Sequence, residues 1–195
     1  MELKETSFYP HIVERFIAEA ESYLPGYDFA YSIGGSKSLR TMIKEIEKKL
    51  GSPTMFSGKY IPDLKLDILI GIKSPEEKVH LILIEAKYCK NLKLDDYSQL
   101  TGYLQVAKYI RYGVLVLVVK NPESSALSTD FADIIRMNNL IMEWEMLVSN
   151  GSISQYQFSV GICTYVLHNG IDWIPTNYTN CIKNFEDLSH KLSLE

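Results

Sequence analysis

The chain has 195 residues, of which 46% are hydrophobic and 23% are charged, a balance typical of one globular domain with a sizeable core. No apolar run reaches the roughly 18 residues of a membrane span, and the first residues lack the basic-then-apolar order of a signal peptide, so we expect a single cytoplasmic domain over 1–195. The three cysteines are widely separated and have no Cys-x-x-Cys spacing. This disfavours a disulfide framework or a zinc site, and three cysteines are too few for a four-cysteine iron–sulfur cluster.

The amino-terminal part of the chain predicts a helix, a strand and a second helix. Pro10 suits the first turn of a helix that runs to about Tyr23, because Pro25-Gly26 then ends it. A short strand is predicted over 28–33, and an amphipathic helix from about Ser36 to Leu50. The buried stripe of the first helix comprises Ile12, Val13, Phe16, Ile17 and Ala20.

The second helix also carries a row of basic side chains, Lys37, Arg40, Lys44 and Lys48. Their spacing of three or four places them on one face, which would suit contact with phosphate groups. Glu45 and Glu47 interrupt the row, however, and a solvated face is the simpler interpretation. Because the formal net charge is −4, any nucleic-acid contact would have to come from a local basic region of this kind.

The centre of the chain predicts a β-hairpin. Two apolar runs, 68–72 and 79–84, are separated by the polar turn Ser74-Pro75-Glu76-Glu77-Lys78. A hairpin folded about Glu76 pairs residues whose numbers sum to 152, so Asp67 falls opposite Glu85. Side chains alternate along a strand, and Lys87 therefore projects from the same face as Glu85.

Two carboxylates roughly 5 Å apart repel each other unless a cation or a proton lies between them. Mg²⁺ suits this arrangement, because it takes one or two carboxylates and leaves room for a substrate phosphate, and the carbonyl of Ala86 could add an oxygen ligand. Lys87 would then orient the attacking water or help to deprotonate it, and would offset charge in the transition state. The chemistry that this predicts is hydrolysis of a phosphodiester.

A helix and a strand are predicted after the hairpin. Asp95 or Asp96 can cap a helix that extends to about Arg111, and Gln99 and Tyr103, four residues apart, share one face of it. The apolar run 113–119 is typical of a buried strand, which after a helix would add parallel to the sheet. The predicted order of the core is α-β-β-β-α-β.

The carboxyl-terminal part predicts a long helix and a second hairpin. The helix would begin after Ser128 or Thr129 and run to about Ser149. The hairpin would join 157–167 to 171–174 through a type I′ turn at Asn169-Gly170. The core stripe of the helix would comprise Ile134, Met137, Ile141, Trp144 and Val148. Candidates for exposed aromatic side chains that contact substrate bases or a second subunit are Tyr156, Tyr165 and Trp173, although core packing is the safer interpretation.

Pro62-Asp63, Asp67 and Glu85-Ala86-Lys87 resemble the motif of the PD-(D/E)xK nuclease superfamily, and Gln99-Leu-Thr-Gly-Tyr103 resembles the Q-x-x-x-Y element of its RecB-type members. The resemblance covers about Tyr9 to Val119, which would form the nuclease-like core, with 120–195 as a carboxyl-terminal extension packed on it. The (D/E)-x-K tripeptide by itself is uninformative, since four other segments of this chain match it. The conjunction of the tripeptide with an aspartate across the hairpin and Gln and Tyr on the next helix carries the inference.

The resemblance implies an α/β fold with a restriction-endonuclease-like core, a mixed sheet flanked by helices, and a Mg²⁺-dependent deoxyribonuclease of restriction or repair type, with Mn²⁺ able to replace Mg²⁺. Asp67 is favoured over Asp63 as the metal ligand beside Glu85, because the hairpin places Asp63 opposite Cys89. The further acid expected from the first helix is Glu14 or Glu5, and Gln99 would assist catalysis. DNA would be contacted by Tyr103, Lys90, Lys37 and Arg40.

Two other functions fit the same residues. One is a non-catalytic nucleic-acid-binding or assembly module with this fold, and the other is a nuclease that acts on RNA. The sequence does not fix the form of the substrate, or whether two copies of the chain associate, as cutting both strands of a palindrome often requires.

Overall fold

Seven strands form one mixed sheet with helices on both faces in the computed structural model. The structure describes residues 4–119, 125–137, 143–147, 153–166, 169–174 and 181–194, with the backbone alone for 143–147 and 153–156. The predicted α/β class and mixed sheet are confirmed. Among the described residues, no helix combines the length and the apolar character that crossing a membrane requires.

The elements of the amino-terminal part follow the predicted order, and the helix predicted between the first two strands is confirmed. A short 3-10 helix at Glu5–Ser7 comes first. It is followed by α1 (Tyr9–Glu21), β1 (Asp28–Ile33), α2 (Leu39–Leu50), β2 (Ile68–Lys73), β3 (Val79–Lys87), α3 (Leu94–Val106) and β4 (Tyr112–Val119). The later elements are α4 (Thr129–Arg136), β5 (Glu143–Leu147), β6 (Ile153–Gln157), β7 (Ser159–Val166), β8 (Gly170–Trp173), β9 (Cys181–Ile182) and α5 (Phe185–Ser193).

The strands of the large sheet lie in the order β1-β2-β3-β4-β7-β8, and β9 also pairs with β7. The predicted hairpin register is confirmed, since β2 and β3 are antiparallel with Ile68 opposite Ile84 and Lys73 opposite Val79. β4 runs parallel to β3, as predicted, and β7 runs parallel to β4 along its whole length. The carboxyl ends of β3, β4 and β7 therefore lie at one edge of the sheet, beside the start of β2.

Two helical layers cover the sheet and bury its strands on both faces. α2, α3 and α4 pack on one face, in one hydrophobic cluster with Leu69, Leu83 and Leu115. α1 and α5 pack on the other face, against Ile82 and Val116. The apolar runs of β2, β3 and β4 are explained by this burial on both sides, because a strand with a solvated face would alternate apolar and polar residues.

The predicted long helix after Ser128 is wrong beyond its first two turns. Ser128 does cap α4, where its Oγ accepts the Phe131 N–H, but α4 ends at Arg136 and residues 143–147 form a strand paired with β6. The segment Glu-Trp-Glu-Met alternates polar and apolar residues, a strand period, and this local signal outweighs the helical spacing of the proposed stripe. Of that stripe, Met137 is exposed, and Ile141 and Val148 lie outside the described residues.

Two smaller expectations are also corrected, and the preferred core-packing interpretation of Tyr165 and Trp173 is confirmed. α3 ends at Val106, five residues before the predicted Arg111, and its amino-terminal residue follows Lys93, whose N–H donates to Asp96 Oδ2. The second hairpin is confirmed, but Val166 pairs with Gly170, so three residues connect the strands and the two-residue type I′ turn is wrong. Tyr165 is buried, and Trp173 packs against Phe16 and Phe185. The Tyr156 side chain lies outside the description.

Candidate functional site

The start of β2 and the end of β3 bring two acidic side chains together at the edge of the sheet. The register of the hairpin places Asp67 across from Glu85, one residue beyond the last paired positions. The Ala86 N–H donates to Asp67 Oδ2 at 3.0 Å, and Glu85 is only 2% exposed. Two carboxylates from paired strands are thus held beside each other in a largely buried position.

The backbone around Asp67 is fixed by a glycine at the end of β1. The Gly34 N–H donates to the Asp67 carbonyl at 2.7 Å. A Cβ at position 34 would lie 1.6 Å from the Leu66 carbonyl oxygen, so the two chain segments can approach this closely only with glycine. The acidic residue is therefore anchored through its backbone as well as through its side chain.

Lys87 links this acidic pair to α3. Its Nζ donates to Glu85 Oε1 at 2.8 Å and to Gln99 Oε1 at 3.0 Å. Gln99 Nε2 in turn donates to the Tyr103 hydroxyl at 2.9 Å. The structure therefore joins Glu85, Lys87, Gln99 and Tyr103, all singled out from the sequence, in one continuous hydrogen-bond chain.

A third carboxylate comes from the 3-10 helix that precedes α1. Glu5 Oε2 accepts the Tyr88 N–H at 2.8 Å, and Glu5 Oε1 accepts the Tyr9 hydroxyl at 3.2 Å. The same hydroxyl also interacts with Asp67. Tyr9 was not singled out from the sequence as a site residue, because a tyrosine at the start of an amphipathic helix is typical of core packing.

The pKa values of the cluster show how much negative charge it concentrates. Burial, and then the charge of Asp67, raise the pKa of Glu85 to about 7. Burial likewise raises the pKa of Asp67, and burial together with Asp67 raises the pKa of Tyr9 far above its usual range. Burial alone would lower the pKa of Lys87, but the neighbouring Glu85 outweighs it and raises that pKa. Lys87 is therefore a protonated donor at neutral pH, which favours its predicted role in orienting water over that of a base.

The residues present fit a hard divalent cation. Three carboxylates, Asp67, Glu85 and Glu5, act on one another through their charges, and Lys87 supplies a single positive charge that acts on both Asp67 and Glu85. A cation that takes one or two carboxylates matches this excess of charge. Within the described residues, no group of three or more His, Cys, Asp or Glu side chains is arranged as a complete metal site. Asp67, Glu85 and the Ala86 carbonyl remain the predicted ligands of Mg²⁺.

Other predicted site residues lie apart from this cluster. Asp63 is exposed on the loop before β2, and within the described residues no hydrogen bond or ion pair joins it to the cluster. Glu14 lies on the α1 surface beside Tyr165 and Gly170. Lys37 precedes α2 and pairs with Glu45 at 2.7 Å. Arg40 and Lys90 are exposed, and Lys90 lines a surface groove with Asn91 and Arg136.

Comparisons with protein-family models, with curated proteins and with solved structures found no match to this chain. What the chain does must therefore be inferred from its own residues.

Proposed function

We propose that this protein is a Mg²⁺-dependent nuclease that hydrolyses phosphodiester bonds of DNA. The observation that carries the proposal is the position of Lys87: its ammonium group is held between Glu85 and Gln99 at the strand edge where Asp67 lies beside Glu85. The resemblance of Asp67, Glu85-Ala86-Lys87, Gln99 and Tyr103 to the PD-(D/E)xK motif, and the strand order that places them at one edge, support a restriction-endonuclease-like core.

In this proposal Asp67, Glu85 and the Ala86 carbonyl would hold Mg²⁺, which would supply positive charge to stabilise the phosphate in the transition state. Lys87 donates a hydrogen bond that orients the attacking water and offsets charge that develops on the phosphate. The water oxygen bonds to phosphorus as the phosphorus–oxygen ester bond breaks. The leaving oxygen takes up a proton, and the proton lost by the water is released to solvent.

Gln99 is a positioning residue, since it contacts Lys87 and not the reacting atoms. Its amide group joins Lys87 to Tyr103, so the ammonium has two fixed acceptors and one direction left for a substrate. Tyr103 lies at the outer end of the chain of hydrogen bonds and is the residue that we expect to contact the nucleic acid. The exposed Lys90, three residues after Lys87, offers a further phosphate contact.

Cleavage assays with labelled duplex, single-stranded and branched DNA, in Mg²⁺ or Mn²⁺ against EDTA, test the proposal. We expect Lys87→Ala to lower the cleavage rate by roughly 100-fold or more, because one charged group that acts in the transition state is typically worth that much. The control variant is Lys183→Ala, which removes an exposed lysine near the carboxyl terminus. It should cleave DNA at the wild-type rate.

Normal cutting by Lys87→Ala would remove this residue from the mechanism. Salt-dependent DNA binding without any metal-stimulated cutting would identify a non-catalytic module. A panel that adds RNA of the same sequence separates a ribonuclease from a deoxyribonuclease.

A further inference from the structure

At the start of β3, the end opposite to the acidic cluster, the side chains are basic and aromatic. β4 begins at Tyr112, opposite Ile82, so the first three residues of β3 extend beyond it. A pocket of about 230 Å³ lies beside this overhang. Val79, which lines the pocket, and Lys87 are eight residues apart on β3, a distance of roughly 26 Å at roughly 3.3 Å per residue.

Three of the described residues that line the pocket are positively charged. They are Lys78, Lys108 and Arg111, and the part of the chain that the structure describes contributes no aspartate or glutamate to the lining. This concentration is notable in a chain whose formal net charge is −4. Three cations at one depression favour an anionic ligand, and the guanidinium of Arg111 can bind phosphate through two parallel hydrogen bonds.

An aromatic surface accompanies the cations. Tyr109 lines the pocket, and Lys59 Nζ lies 4.1 Å and Lys108 Nζ 5.4 Å from its ring centroid. Phe56 packs edge-on against the same ring, with centroids 5.2 Å apart, and fixes its orientation. His80 and Tyr112 add further ring edges to the wall. Flat rings beside cations are the combination that binds a base and its phosphate.

We propose that this pocket, defined by Lys78, Lys108, Tyr109 and Arg111, is a second site that binds a nucleotide through its phosphate. The volume is below the roughly 300–1,000 Å³ of pockets that enclose drug-sized ligands, so the phosphate is enclosed while the base lies on the surface beside Tyr109. The nucleotide is either free or a unit of a nucleic-acid strand, since both present the same chemistry. The site is independent of the acidic cluster and of the nuclease proposed there.

Calorimetric titration of the full chain in EDTA tests the second site without the metal-dependent one. The titrants are AMP, inorganic phosphate and a short single-stranded DNA. We expect Arg111→Gln to weaken AMP binding about tenfold, the usual effect of removing one charge-assisted hydrogen bond. Lys78→Gln, at an exposed position, should weaken it in the same direction. Lys183→Gln, which changes the net charge equally at an exposed lysine outside the pocket, should leave it unchanged.

The titrants separate the two sources of nucleotide. Binding of AMP that depends on Arg111 supports a free nucleotide, and binding of the oligonucleotide alone with the same dependence supports a strand. The proposed site is contradicted if neither AMP nor the oligonucleotide binds, or if Lys183→Gln weakens binding as much as Arg111→Gln does. If inorganic phosphate binds as tightly as AMP, the ligand is not specifically a nucleotide. Lys87→Ala should keep this binding whether or not it loses cleavage, so failure of one proposal is distinguishable from failure of the other.

Discussion

Lys87 is held by two acceptors before any substrate arrives. Its ammonium group donates to Glu85 and to Gln99, and its exposed side-chain fraction is 18%. A lysine restrained in this way loses little rotamer freedom when it contacts a phosphate, which favours precise orientation of that contact. The restraint comes from Glu85, whose own ionisation is disfavoured by burial and by Asp67.

Glu85→Gln should change the pH dependence of stability. The pKa of Glu85, raised to about 7, lies above that of an unfolded glutamate, so the folded state binds the extra proton between about pH 4.5 and 7. The wild type therefore loses stability as pH rises through that window, and the variant lacks this loss. Between pH 4 and pH 8, the free energy of unfolding of Glu85→Gln should rise by about 1–3 kcal/mol relative to that of the wild type. Urea unfolding in EDTA measures this difference.

Glu76→Gln, at an exposed position in the hairpin turn, is the matched control, and its free energy of unfolding should change with pH as that of the wild type does. A Glu85→Gln difference that stays constant with pH would contradict the raised pKa.

Tyr9→Phe should destabilise the protein although it removes only one oxygen atom. The Tyr9 hydroxyl donates to Glu5 and interacts with Asp67, so its loss leaves two carboxylates without a shared donor. The expected cost is about 1–2 kcal/mol in the free energy of unfolding at neutral pH. Tyr23→Phe, at a tyrosine that is 49% exposed, should cost close to nothing, and equal effects of the two substitutions would argue against the proposed role of the hydroxyl.

At the scale of elements, the approach of β1 to the start of β2 depends on one glycine. Gly34→Ala places a Cβ against the Leu66 carbonyl, a backbone atom that cannot rotate away. We expect a loss of about 3 kcal/mol in unfolding free energy and a displaced Asp67. Gly102→Ala, in α3 with open space around its Cβ, should be neutral or stabilising by up to about 1 kcal/mol, and both are measured by chemical denaturation. A neutral Gly34→Ala would show that the two segments can separate.

Some parts of the fold and of the candidate site could be predicted from sequence patterns alone. The register of β2 and β3 was predictable, because two strongly apolar runs and a turn of fixed length allow one pairing, and Asp67, Glu85 and Lys87 follow from it. Gln99 was singled out by the resemblance to the Q-x-x-x-Y element, and helical spacing placed it on the same face as Tyr103. Tyr9 was not, because its hydroxyl acts through contacts distant in sequence, and neither was the choice of Glu5 over Glu14, which depends on how the chain enters α1.

The carboxyl-terminal elements were predicted less well. The segment 143–147 satisfies both a helical stripe and a strand alternation, and pairing with β6 decides between them. β7 joins the central sheet by pairing with β4, a long-range choice that no local pattern in Ser159–Val166 encodes. Local signals thus identified β7 as a strand but not β4 as its partner, and they missed the pair of β5 and β6.

At the scale of the whole molecule, the two ends of β3 differ in charge. Asp67, Glu85 and Glu5 lie at one end, and Lys78, Lys108 and Arg111 at the other. A divalent cation and a phosphate-bearing ligand should therefore bind at opposite ends, and neither should displace the other.

Added Mg²⁺ should raise the melting temperature of the wild type at pH 8 by roughly 5 °C when it is well above its dissociation constant, since binding to the folded state stabilises it. The rise should be smaller at pH 5.5, because protons compete for Glu85. Asp67→Asn should abolish it, whereas NaCl of equal ionic strength should not reproduce it. A Mg²⁺ effect that survives in Asp67→Asn, measured by thermal denaturation against EDTA, would place the cation elsewhere.

The contact of Glu5 with Tyr88 and Tyr9 has a practical consequence for producing this protein. Truncating the amino terminus to begin at α1 would delete one acid of the cluster and leave the Tyr88 amide without its acceptor. Inactivity of a protein truncated in this way would therefore be caused by the loss of Glu5.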